Sequence, residues 1–165
     1  MTAEAEFVEL ATARGAALFR TALLLSGDWQ AAEDLVQETL GKLYTHWSRV
    51  ARSSDPAAYA RTTLVRTFLS SRRRRSSSER PRADLDPGHV HDEDLSLRVT
   101  LLAALAELEP QDRAVLVLRY WEDLDAPTTA ELLGTTPAAV RTRSRRALAR
   151  LRDQVGGDLA ALLAR

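Results

Sequence analysis

Apolar residues recur along this chain at intervals of three and four, and almost nowhere at intervals of two. That spacing gathers them on one face of a helix rather than on one face of a strand. Phe7, Leu10, Ala11, Leu18, Ala22 and Leu25 predict a first helix or helix pair that stops near Ser26-Gly27. Asp28 is a capping residue for a second helix, with Ala32, Leu35, Val36, Leu40, Leu43 and Trp47 along its inward stripe. Ser54 or Asp55, followed by Pro56, starts a third, because proline suits the first helical position. Its stripe is Tyr59, Thr63, Val65, Phe68 and Leu69, and it runs into Arg72-Arg73-Arg74-Arg75.

The pattern then stops. Between Ser76 and Asp92 lie two prolines, a glycine and mostly polar residues, too little apolar surface to fold alone. Periodicity resumes with Leu95, Leu97, Val99, Leu102, Leu105 and Leu108, and Pro110 opens another helix carrying Ala114, Val115, Leu118 and Trp121. A short helix over residues 127–133 is closed by Gly134. A longer one follows, with Thr136 as its cap, Pro137 at its first position and Val140, Ala147, Leu148 and Leu151 inward. Gly156-Gly157 is a stop, and Asp158 begins a last short helix to Arg165. The expected fold is all-α: two small helical domains, residues 1–76 and 95–165, joined by a flexible linker at 77–94.

A short helix, a glycine and a capped longer helix form the outline of a helix-turn-helix at the end of the second domain. From Thr135 to Arg152 the chain holds six arginines and no acid. Such a helix offers a positive face to a DNA groove. Arg141, Thr142, Arg145 and Arg146 are the candidates for base edges, since arginine pairs bidentately with guanine and threonine bonds a base or a phosphate. Arg143 and Arg150 are candidates for phosphates or for acids nearby. Thr128 and Thr129 are candidates for phosphate at the first helix's N-terminus.

Charge changes the picture by its distribution. The 23 basic and 23 acidic residues cancel, which argues against a chain that coats nucleic acid along its length. Arginines cluster at 72–75 and 141–152, acids at 84–94 and 107–125. There is no cysteine, which excludes disulfides, cysteine-ligated zinc and thiol catalysis. No apolar run approaches a membrane span, and Glu4 and Glu6 exclude a signal-peptide start. The expected location is the cytoplasm. His89 and His91 beside Asp92 and Glu93 read as a polar linker, because no rigid element orients them as ligands. No metal and no cofactor is expected.

Two stretches carry a family resemblance. Residues 18–47, above all Ala-Glu-Asp-Leu-Val-Gln-Glu at 32–38, resemble the polymerase-binding part of bacterial sigma factors of the extracytoplasmic-function group. Residues 105–151, beginning Leu-Ala-Glu-Leu-Glu-Pro-Gln-Asp-Arg, resemble that group's second promoter-reading domain, and the order fits its short two-domain type. The resemblance implies a transcription initiation factor and not an enzyme. Asp34, Gln37 and Glu38 would meet the clamp helices of core RNA polymerase. Arg61, Arg66, Arg72, Arg73 and Arg74 would hold the −10 strand of promoter DNA, with Tyr59 or Phe68 either stacking on a base or packing in the core. The helix-turn-helix would read −35 while its domain, near Trp121, grips the flap tip. An anti-sigma factor is a common partner in this group, and the free chain would be a monomer with no membrane insertion. Arg66 and the Pro127-Thr128 pair depart from the group's usual asparagine and acid. Two rival readings are a stand-alone helix-turn-helix regulator, which would dimerise on two half-sites, and an adaptor or anti-sigma protein that mimics one sigma lobe.

Overall fold

The computed structural model describes residues 1–74 and 92–156, with side chains in the second stretch from residue 98 onward. The described residues are helical throughout, with short turns between helices, and the fold is all-α. The chain divides into two compact units, Met1–Arg80 and Pro81–Arg165. Most of the linker expected at 77–94 lies outside the described residues, as do His89, His91 and the helix expected from Asp158. Residues 92–94 already belong to a helix.

In the first unit, α1 (Ala3–Ser26), α2 (Trp29–Thr45) and α4 (Pro56–Arg74) pack on one another, with the single turn α3 (Trp47–Val50) between the last two. Local chemistry sets the ends. Thr2 caps α1 and Asp28 caps α2, its carboxylate accepting from the Ala31 N–H at 2.7 Å. Asp55 does the same for α4, accepting from the Ala58 N–H at 2.9 Å. Gly27 ends α1 in the left-handed region, φ 85°, where a side chain is unfavourable. Leu25, Leu43, Leu64 and Val65 are fully buried, each worth roughly 1.5–3 kcal/mol in apolar surface removed from water. Trp47 lies beyond a break at His46 rather than on α2, and packs edge-on to Phe7 with ring centroids 5.6 Å apart. Leu64 takes the inward place the periodicity assigned to Thr63.

The second unit contains α5 (Asp92–Ala106), α6 (Pro110–Leu116), a π-helical turn (Val117–Trp121), α7 (Ala126–Leu133) and α8 (Pro137–Val155). Arg113, buried on α6, donates to the carbonyls of Ala106 and Leu108 at 2.9 and 3.0 Å. It thereby satisfies carbonyls where α5 ends. Val115, Ala126, Ala130 and Val140, with Leu133 against them, form the seam that fixes α7 on α8. Gly134 turns between these helices at φ 66°. α8 turns Ser144 inward along with Val140, Ala147 and Leu151, while Leu148 is only half-buried. Trp121, expected on the inward stripe, is 53% exposed.

Gly41 is exposed in the middle of α2, and a Cβ there would meet nothing within 4 Å. Interior glycine costs a helix its backbone entropy without any packing return here. Gly41→Ala is therefore expected to raise stability in urea unfolding by about 0.5–1 kcal/mol. Gly134→Ala should lower it by roughly 1 kcal/mol, because alanine resists positive φ.

Candidate polymerase and nucleic-acid surfaces

The candidates for the polymerase clamp lie together. Asp34, Gln37 and Glu38 occupy positions i, i+3 and i+4 of α2, all exposed on one face. Asp34 accepts from the Gln30 side chain at 3.1 Å. Glu38 is already shared: Lys42 Nζ lies 3.0 Å from its carboxylate and the Arg74 guanidinium 3.6 Å. Lys42 also donates to the hydroxyl of Thr67 on α4 at 3.1 Å. A face of α2 assigned to one partner and a helix end assigned to another are thus bonded to each other. Both pairs are solvent-exposed and individually weak, about 0–1 kcal/mol each.

The arginines of α4 do not form one line. At about 100° of rotation per residue, Arg61 and Arg72 fall in the same direction as the buried Val65 and Phe68 and are only partly exposed, and Arg72 lies over the Phe68 ring at 5.6 Å. Phe68 is 2% exposed and belongs to the core, so the stacking role open to it is excluded. Arg66 and Arg73 share the exposed side with Tyr59, at i, i+7 and i+14. Tyr59 also borders an open concavity of about 540 Å³ with Ser48 and Arg49 of α3 and Arg52 and Ser53 of the following turn. The sequence reading missed Arg49 and Arg52. Their signal was weak, two arginines three apart in a segment with no apolar stripe of its own. The result is an aromatic ring beside two guanidiniums, continued by Arg66 and Arg73. Single strands are held by such a combination of stacking platform and cationic track.

On α8 the six arginines separate onto two flanks. Arg141, Arg145 and Arg152 lie on one side of the outward direction, and Arg143, Arg146 and Arg150 on the other. Thr142, Ala138 and Ala149 stand between them. The second flank faces an acid. Asp112 on α6, only 1% exposed, accepts from Arg143 Nη1 at 2.9 Å, while Arg146 Nη2 lies 3.4 Å from both its carboxylate oxygens. Of the two partners left open for Arg143, the structure supplies the acid. Arg141, Thr142 and Arg145 remain exposed on the outer side.

The start of α7 corrects one expectation. Thr129 is fully buried, so its hydroxyl cannot hold a phosphate. The helix begins at Ala126, one residue before Pro127, with Asp125 as its cap accepting from the Thr128 N–H at 2.7 Å. The anion at this N-terminus is the chain's own carboxylate, which occupies the place Thr128 was expected to offer a phosphate. Hydrogen bonds from Thr128, by side chain and then by backbone, hold the Asp125 carboxyl below its ordinary range, and Arg119 adds to the effect.

Among the described residues no group of three or more His, Cys, Asp and Glu could hold a metal ion, and no helix is long and apolar enough to cross a membrane.

Comparison with known proteins matches both units. The Sigma-70 region 2 family matches residues 10–78, and the family described as Sigma-70, region 4, matches residues 98–151. The RNA polymerase sigma-E factor of Streptomyces antibioticus is 36% identical over 152 residues, covering 91% of this chain and 84% of that protein. The sigma-E factor of Streptomyces coelicolor is 35% identical, covering 91% and 86%. Among solved structures, the sigma factor RpoE of Bartonella quintana, in complex with the anti-sigma factor NepR, aligns with a TM-score of 0.77 at 24% identity. The alignment covers 93% of this chain and 98% of that one.

The lowered Asp125 carboxyl has a testable sign. Its ionised form is favoured in the folded chain, so the stabilisation is present above the ordinary aspartate range. It is lost as pH falls through the lowered value. Asparagine also caps helices but does not titrate. In Asp125→Asn, the thermal midpoint of the second unit should fall less steeply on acidification below about pH 4 than in the parent chain; equal slopes would remove Asp125 from the account.

Proposed function

The chain belongs to the extracytoplasmic-function group of sigma-70-type RNA polymerase sigma factors, and we infer that it divides promoter recognition between its two units. It is a transcription initiation factor that directs core RNA polymerase to promoters. The finer assignment is as follows. Residues 1–76 form the lobe that binds the polymerase clamp helices through Asp34, Gln37 and Glu38 and opens the −10 element. Residues 95–165 form the lobe that reads −35 and meets the flap tip. Residues 77–94, the last three of which already belong to α5, connect them. The chain acts in the cytoplasm by binding, and the chemistry of RNA synthesis belongs to the polymerase.

The observation that carries this reading is the coexistence of an exposed acidic stripe on α2 and a separately built basic face on α8. A stand-alone regulator has no need of the first. A lobe mimic has no need of both. Within the first lobe, the open concavity of Ser48, Arg49, Arg52, Ser53 and Tyr59 offers a place for a base pulled from the −10 strand. Arg66 and Arg73 extend the cationic track along the phosphates, while Arg61, Arg72 and Arg74 lie on other sides of α4. Within the second, Arg141, Thr142 and Arg145 stand free on the outer face of α8, and Arg146 reaches it from the flank. The relative from Bartonella quintana was solved with an anti-sigma factor bound. That supports a partner of the same kind here.

Few phosphate contacts are on offer, so binding should be modest without polymerase. With about three arginines on phosphate, log affinity for duplex DNA should fall with log salt at a slope of roughly −2.7. The assignment is checked by transcription in vitro with core polymerase and promoter fragments. Arg141→Ala with Arg145→Ala should abolish promoter selection and keep core binding. Asp34→Ala with Glu38→Ala should weaken core binding by roughly 1–2 kcal/mol and keep the template preference of the polymerase that does assemble. No initiation at any promoter, with active core, would sink the reading; identical behaviour of the two pairs would sink the division between lobes.

A further inference from the structure

Asp112 is not on the reading helix, yet it is the residue that α8 leans on. Its carboxylate is buried on the first turn of α6 and receives two guanidiniums from successive turns of α8. The two bonds differ. The Arg143 contact is short, 2.9 Å, and its side chain is the more enclosed of the two, as befits a tie between helices. The Arg146 contact is longer, 3.4 Å to each oxygen, and its side chain is 52% exposed. A tie alone would need only the first.

Arg146 lies one turn beyond Thr142, on the edge of the outer face of α8. An unrestrained arginine there would lose rotamer freedom whenever it docked. Guanidinium carries five N–H donors in a rigid fork. The geometry points to Asp112 as a positioning residue for base recognition: by occupying Nη2 it sets the fork of Arg146 before DNA arrives, leaving the remaining donors for the paired acceptors on the major-groove edge of a guanine. This rests on α8 being the −35 reader. It assigns Asp112, outside the helix-turn-helix, a part in specificity, and it divides the second flank into an anchor, Arg143, and a reader, Arg146.

The test uses the full chain with core polymerase on templates that vary one −35 base pair at a time. Arg146→Ala and Asp112→Asn are each expected to relax preference at the same single base pair, roughly tenfold, with core binding unchanged. The double variant should relax it no further than either alone, since the two act as one unit. Asp112→Glu should restore part of the preference. Arg146→Lys guards against misfolding of the Asp112 variants: it keeps the charge beside Asp112 but lacks the fork, and should lose the same preference with an unchanged melting temperature. Additive effects in the double variant, equal weakening on all templates, or full preference in Arg146→Lys would each overturn the proposal. If Arg141→Ala with Arg145→Ala leaves −35 selection intact, the fault lies instead with α8 as the reader.

Discussion

How the second unit presents the basic face of α8 depends on one buried carboxylate. A carboxylate as enclosed as that of Asp112 is tolerable only while its charge is matched and its lone pairs are filled. Both conditions are met by α8, through Arg143 and Arg146. The apolar seam of Val115, Ala126, Ala130 and Val140 holds α7 and α8 together, and the charged contacts of Asp112 add directional bonds between α6 and α8. The bonds that match this charge therefore also orient the basic face of α8, and removing Arg143 and Arg146 together would leave Asp112 buried and uncompensated.

The first unit joins its two proposed surfaces in a looser way. Its core is apolar, with Leu25, Leu43, Leu64 and Val65 at the centre. Its ionic contacts lie at the rim, where Glu38 meets Lys42 and Arg74. Such contacts exchange partners at small cost. The stable part of the unit is the helix packing that fixes where α2 and α4 present their outer faces. The functional groups ride on that scaffold and remain available to outside partners.

Most of the architecture was legible because its signals are local. Asp28, Asp55, Thr136 and Gly134 act within one turn of their own positions, and the inward stripes of α1, α2 and α8 follow from spacing alone. What the sequence concealed depends on contacts distant along the chain. Asp112 lies 31 and 34 residues from its partners, and nothing in a helical pattern singles it out. Arg49 and Arg52 matter only because α4 brings Tyr59 against them. Thr129 was misjudged because Asp125 moved the start of α7 one residue earlier and turned that position inward.

Trp121 shows a different kind of concealment. Spacing from Ala114, Val115 and Leu118 places it inward. The backbone, however, widens at this point: the Glu122 N–H bonds to the carbonyl of Val117 and the Leu124 N–H to that of Leu118, spans of five and six residues instead of four. The wider turn carries Trp121 out to solvent, beside Tyr120, which helical spacing already points outward. The Trp121 ring is exposed here by an arithmetic of chain length, not by any polarity of its own. Shortening this turn by one residue would reset the phase of everything between it and α7, so the surface at this corner is encoded in a count.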